Sequence, residues 1–182
     1  QGAIDAMVVC EELGRGLVHA PYVPAALMTP ALLSAAPAAL QAQCLPGIAS
    51  GESLVVPALQ ERAARCHLDH VTTRAAAQGE SWTLTGTKCV VPGGDEADAF
   101  IVPARTAGAD GDAQGIALFI VAKGAAGLAV RGYPTQDGAR AAELTLKDTP
   151  ATLIATDALP VLEHAVDAGI AAVCAEGVGV MD

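Results

Sequence analysis

The stretch Trp82-Thr83-Leu84-Thr85-Gly86-Thr87-Lys88 decides how the chain is read. Over Trp82 to Gly86, bulky apolar residues alternate with threonines at a period of two, so Trp82 and Leu84 fall on one face of a β-strand. Outward from this stretch, strand-length alternation runs from Leu54 to Leu153. The spacing predicts strands over Leu54–Leu59, Val71–Ala77, Trp82–Thr85, Lys88–Val91, Phe100–Arg105, Ile116–Val121, Leu128–Tyr133 and Ala142–Lys147. Turn residues separate them at Gln78-Gly79-Glu80, Gly93-Gly94-Asp95, Gly108 to Gly111, Lys123-Gly124 and Gln136-Asp137-Gly138. No helix-length segment intervenes, which predicts an antiparallel β-barrel or sandwich and argues against a parallel doubly wound sheet.

Helical patterns flank this module. Ile4, Met7 and Val8 lead to Glu11-Glu12-Leu13-Gly14-Arg15-Gly16, an apolar stripe ended by glycines. Pro24 suits the first turn of a second helix over about 24–35. Pro37 opens a third, Ala38 to Ala49, closed by Gly47 and Gly51. After the strands, Asp157 is a candidate N-cap, and Leu159, Leu162, Val166, Ile170 and Val173 follow at helical spacing. The expected class is α+β: a helical domain over 1–53, a β-barrel or sandwich over 54–153, and the start of a C-terminal helical domain over 154–182.

Composition narrows the function. The 182 residues are 52% hydrophobic and 16% charged, which excludes a disordered polyampholyte. With 10 Lys+Arg against 20 Asp+Glu and 3% aromatics, the chain has neither the basic stripe nor the stacking platform that nucleic acid requires. The same charge disfavours anionic membranes. The most apolar long stretch, Leu162 to Val180, carries Glu163, His164, Asp167 and Glu176, so no membrane span is expected. Five cysteines (Cys10, Cys44, Cys66, Cys89 and Cys174) form no CxxC pair and read as the thiols of a cytoplasmic protein. The chain opens Gln1-Gly2-Ala3 and stops inside a helical pattern at Asp182, as a segment of a longer protein would.

Candidate chemistry is sparse. His67 and His70 beside Cys66 are too few for a closed metal site, and no partner cluster accompanies them. Asp110-Gly111-Asp112-Ala113-Gln114-Gly115 imitates the start of a calcium loop, but its twelfth position is Val121 where a bidentate Glu is needed. Gly47-Ile48-Ala49-Ser50-Gly51 displaces its serine from the centre of a nucleophile elbow. No catalytic residue and no metal ligand is assigned.

Several segments, in order along the chain, resemble the acyl-CoA dehydrogenase family. Glu11 to Leu17 resembles its EELGR helix, and Leu45-Pro46-Gly47-Ile48-Ala49-Ser50-Gly51-Glu52 its LPxIASGE lead-in to the middle domain. Trp82 to Lys88 resembles the WxLxGxK strand pair, and Ala97 to Val102 the ADxFIV strand. Gly127 to Val130, Thr135 to Gly138 and Ala142 to Leu144 match later strands, and Ala168 to Gly179 the first helix of the C-terminal bundle. The resemblance implies a helical domain, a middle β-barrel and a C-terminal bundle. It also implies FAD-dependent α,β-dehydrogenation of an acyl-CoA, an acceptor such as an electron-transfer flavoprotein, and a homo-oligomer.

The family's base and its arginine for the FAD pyrophosphate would lie beyond Asp182. The flavin-facing wall would comprise Leu59, Gln60, Val90, Val91 and Pro92. Two departures mark that wall. The family's TEPxxGS segment is Gln60-Glu61-Arg62-Ala63-Ala64-Arg65-Cys66 here, with only Glu61 matching. Its KxW(I/V)(S/T) segment is Lys88-Cys89-Val90-Val91-Pro92, which places Val90 at the covering tryptophan and Pro92, without an N–H, at a flavin donor. A non-catalytic partner subunit on the same scaffold is the alternative, and an unrelated α+β binding module the third reading.

Overall fold

The computed structural model describes residues 2–79 and 81–182. Four α-helices (α1 Ala3–Arg15, α2 Thr29–Leu33, α3 Ala38–Ser50, α4 Leu159–Met181) surround seven strands. The strands are β1 Val55–Pro57, β2 Arg74–Gln78, β3 Ser81–Pro92, β4 Ala99–Arg105, β5 Ile116–Ala122, β6 Leu128–Pro134 and β7 Arg140–Ala155. Pairing runs β4-β2-β3-β7-β5 and returns to β4, so five strands close into a barrel, with β1 added on β4 and β6 on β7. The class is α+β, as expected from sequence.

Details of the expectation are corrected. Trp82–Thr85 and Lys88–Val91 are one strand, β3, bent by irregularities between Leu84 and Gly86 and between Lys88 and Val91. Bulges let a single strand turn a barrel corner where the sequence suggests a break. The barrel is not wholly antiparallel: β1 and β2 both run parallel to β4. The β7 strand continues to Ala155, well beyond the expected Lys147, because it pairs with β6 and β3 along its first part and with β5 at its end. The turn expected at Gln78-Gly79-Glu80 includes Glu80, which lies outside the described residues.

Two cores explain the apolar runs. Along β4, Phe100, Val102 and Ala104 face the barrel interior beside Val121, Phe119 and Ala117 of β5. The alternate residues Ile101, Ile116 and Leu118 point outward into a second core with Leu32 and Leu33 of α2 and Leu162 and Ala165 of α4. Strands buried on both faces lose the apolar–polar alternation, which accounts for the unbroken run Phe100 to Ala104. Trp82 and Leu84 serve the interior core together, with the Trp82 ring 5.4 Å from that of Phe119.

The second expected helix begins as a π-helix, Val23–Met28, before tightening into α2. Asp157 is not the N-cap of α4: Ala158 takes that place, and Asp157 sits at φ +49° without a capping bond. By length and composition α4 is apolar enough to cross a membrane, contrary to the expectation. In this fold its small-residue strip packs on protein. Gly14 of α1 faces the carbonyl of Glu176, where a Cβ would lie 2.1 Å from the oxygen, and a Cβ on Gly179 would lie 1.9 Å from the carbonyl oxygen of Glu11. The two helices therefore touch backbone to backbone.

Arg105, 1% exposed, ends β4 beneath two loops. Its guanidinium donates to the carbonyls of Asp69 (2.8 Å), Val71 (3.1 Å), Asp110 (2.9 Å), Asp112 (3.0 Å) and Gln114 (2.8 Å). Backbone dipoles replace water around a charge that, among the described residues, has no carboxylate in contact. This is why the calcium-like stretch Asp110–Gly115 closes without a metal-loop carboxylate at Val121.

Candidate functional site

A cavity of about 820 Å³ opens between the barrel, the π-helix and α4. Leu59, Gln60, Val90 and Pro92 form its barrel wall. Val91, the fifth residue of the expected wall, turns the other way and is 1% exposed in the barrel core. Opposite lie Val166, Gly169, Ile170 and Val173 of α4, and Met28 closes against Gly169, where a Cβ would meet its sulfur at 3.0 Å.

The wall is built by the strand pattern. Leu84, Gly86 and Lys88 occupy alternate positions of β3, and Gly86 lets Thr73 come so close that a Cβ would lie 2.6 Å from its hydroxyl. Lys88 then reaches inward and its Nζ donates to Glu61 Oε1 at 2.7 Å, with both side chains at most 3% exposed. Glu61 also accepts from the Thr72 N–H (2.7 Å), the Thr73 N–H (3.1 Å), the Thr73 hydroxyl (2.6 Å) and the Thr72 hydroxyl. Burial alone would raise the Glu61 carboxyl, but the Lys88 charge and these donors outweigh it and hold the group at about 2. Burial pushes the Lys88 ammonium down, with Glu61 opposing.

Next to Lys88, Cys89 donates its N–H to the Gln60 carbonyl at 2.9 Å, joining the two wall segments. Val90 follows at φ +50°, a left-handed conformation that a β-branched residue rarely takes, at the extra residue of the bulge. It stands 55% exposed on the cavity wall. Polar groups gather at one rim. Arg140 Nε donates to Asp95 Oδ2 at 2.6 Å, His19 packs over Gly138, and the Thr135 hydroxyl and Ala139 N–H hold the Asp137 carboxyl below its usual range. Sequence reasoning did not single out His19, Arg140, Met28 or the Glu61–Lys88 pair. Only the pair left a signal, a lysine at an inward position of an alternating strand.

The wall suits a flat, largely apolar ring by its lining of Leu59, Val90 and Pro92, with the Gln60 amide as its polar side chain. Its other edge is poor in donors: the Cys89 N–H serves Gln60, the Gly93 N–H serves the Arg140 carbonyl (2.8 Å), and Pro92 has none. Cys66 and Cys174 also line the cavity, and His67 and His70 lie in turns. Among the described residues, no three His, Cys, Asp or Glu side chains gather to hold a metal.

Comparisons with known proteins fit this geometry. Residues 58–149 match the family model described as acyl-CoA dehydrogenase, middle domain. "Probable acyl-CoA dehydrogenase fadE25" of Mycobacterium leprae (strain TN) is 33% identical over 156 residues, 84% of this chain and 38% of that protein. "Cyclohex-1-ene-1-carbonyl-CoA dehydrogenase" of Geobacter metallireducens is 34% identical over 132 residues, 70% of this chain and 34% of that protein. Among solved structures, the "Tcur3481-Tcur3483 steroid ACAD G363A variant" superposes with a TM-score of 0.82 at 30% identity, covering 98% of this chain and 46% of its own. The chain thus spans little more than a third of the length of the curated relatives it matches.

Proposed function

The chain belongs to the acyl-CoA dehydrogenase family, a family of FAD-dependent oxidoreductases of fatty acid metabolism, and we propose that it forms the barrel-side wall of a flavin site. On this reading the parent protein oxidises an acyl-CoA thioester to the 2,3-enoyl-CoA in the cytoplasm, passes electrons to an acceptor such as an electron-transfer flavoprotein, and works as a homo-oligomer. The supporting observation is that Leu59, Gln60, Val90 and Pro92, all within the matched segment, lie on one cavity wall and face α4 across it. The organisation proposed is a helical part over 1–53, the barrel over 54–153 and the first part of a helical bundle over 154–182.

FAD bound here supplies the hydride acceptor of an α,β-dehydrogenation. The chain's own residues bind and exclude water. Leu59, Val90 and Pro92 give apolar contact, Gln60 gives a polar one, and Met28 with Gly169 closes the floor. No residue of this chain is assigned as the base.

Titrating the 182-residue chain with FAD and following flavin fluorescence tests the reading. We expect saturable quenching with a dissociation constant above about 1 µM, since one wall supplies only part of the contact, and its loss in Leu59→Glu. Quenching that never saturates, or that ignores Leu59→Glu, would overturn it. Val90 and Pro92 favour a second reading, the partner subunit of a complex whose flavin is held elsewhere. In that case quenching appears only when a flavin-bearing relative is added.

A further inference from the structure

We propose that Glu61 and Lys88 are positioning residues for the cavity: their buried pair locks the Leu59–Gln60 segment against the Cys89–Val90 bulge and so fixes the surface on which a ring-bearing ligand lies. The inference deepens the flavin-wall reading and rests on it for the identity of that ligand.

Placement is the first argument. Glu61 directly follows Gln60, and Lys88 directly precedes Cys89. Each partner therefore stands within two residues of a wall side chain, Leu59 or Gln60 on one segment and Val90 on the other. The 2.7 Å contact between them spans the gap behind the wall, and the Cys89 N–H to Gln60 carbonyl bond closes the same gap at its surface. Thr72 and Thr73 of the segment entering β2 take up the remaining capacity of the carboxylate. The carboxylate is thereby held from two other parts of the chain at once.

Energetics is the second. Two charges withdrawn from water lose solvation that their attraction scarcely repays, and apolar pairs of similar volume often do as well or better. Stability by itself is a poor reason for such a pair at this place. Geometry is a better one: five hydrogen bonds on two oxygens define one position for Glu61, which packing between apolar side chains would leave softer. Val90 needs that definition. A β-branched residue at φ +50° persists only where its surroundings over-determine it, and Lys88, two residues before it, is the anchored end of the bulge.

The test compares the full 182-residue chain with two variants. Glu61→Gln/Lys88→Met removes both charges and leaves no unpaired ion, whereas Glu61→Asp keeps the charge and shortens its reach. Amide hydrogen exchange is read at Cys89 and over Leu59–Glu61, with Val102 and Phe119 of the barrel core as internal references, alongside FAD fluorescence. In whichever variant stays folded, exchange at Cys89 should accelerate by about tenfold or more while the core amides hold, and FAD affinity should fall by about tenfold.

A purely structural pair would move wall and core amides together, or neither, and either pattern overturns the proposal. If the parent chain binds no FAD, the flavin reading fails on its own, and the exchange at Cys89 still decides whether the pair positions the wall.

Discussion

Glu61 offers a pH signature that surface carboxylates lack. Its group is held at about 2 in the folded chain against 4.5 when free, so its contribution is complete above pH 4.5 and fades as pH falls towards 2. In acid titrations followed by circular dichroism, the parent chain should lose stability across that window, and Glu61→Gln/Lys88→Met should show a flatter dependence there. This residue was only half legible in the sequence. Glu61 and Lys88 both stood in recognisable segments, but nothing in linear spacing says that positions 27 apart meet. That depends on Gly86 letting Thr73 approach and on two breaks in the β3–β7 register that period-two alternation does not show. Val91 shows the same limit from the other side. Alternation assigns it a face only once the bulge at Val90 is known, and the bulge turns it into the core.

At the level of elements, the α1–α4 contact makes a sharp demand on two glycines and none on a third. Gly14→Ala and Gly179→Ala each place a methyl within about 2 Å of a main-chain oxygen, at 2.1 and 1.9 Å, and the helices must separate to admit it. Each should cost about 1–3 kcal/mol in urea unfolding, the usual range for overpacking. Gly177, two residues before Gly179 and so on the opposite face of the same helix, has nothing within 4 Å of its would-be Cβ and behaves oppositely: Gly177→Ala should stabilise by about 0.5–1 kcal/mol through helix propensity. Equal effects at the three positions would show that the helices do not touch. The helices themselves were readable from their stripes and terminal glycines. The π-helix was not, since Pro24 and Pro30 advertise helix starts and say nothing of a widened turn between them.

For the molecule as a whole, the apolar excess has two destinations. Most enters the barrel core, the core beneath α2 and α4, and a smaller cluster of Cys10, Ala172 and Ala175 between α1 and α4. The rest stays outside, as Ile4, Met7 and Val8 on α1 and Val180 and Met181 on α4, each at least 43% exposed. Patches of this kind seek a partner. Sedimentation of the chain should show association that grows with concentration, and Val8→Lys/Met181→Lys should shift it towards the monomer without lowering the thermal midpoint. A monomer at all concentrations would count against the homo-oligomer. The strand pattern left barrel and sandwich both open, and which strands meet to close the barrel was not in it, because closure depends on strands meeting far from their neighbours in order.

The seam of the barrel and the cage of Arg105 are one event. The register that brings β2 beside β4 is the single pair Arg74 with Arg105, and Arg105 is also the residue whose guanidinium gathers Asp69 to Val71 and Asp110 to Gln114. Until the seam shuts, the charge keeps its hydration and the loops have nothing to fold around. Once it shuts, six carbonyls converge on a cation that is covalently part of the chain. The loops should therefore gain or lose their order together with the barrel, seen as matching hydrogen exchange at Val71, Asp112 and the barrel core.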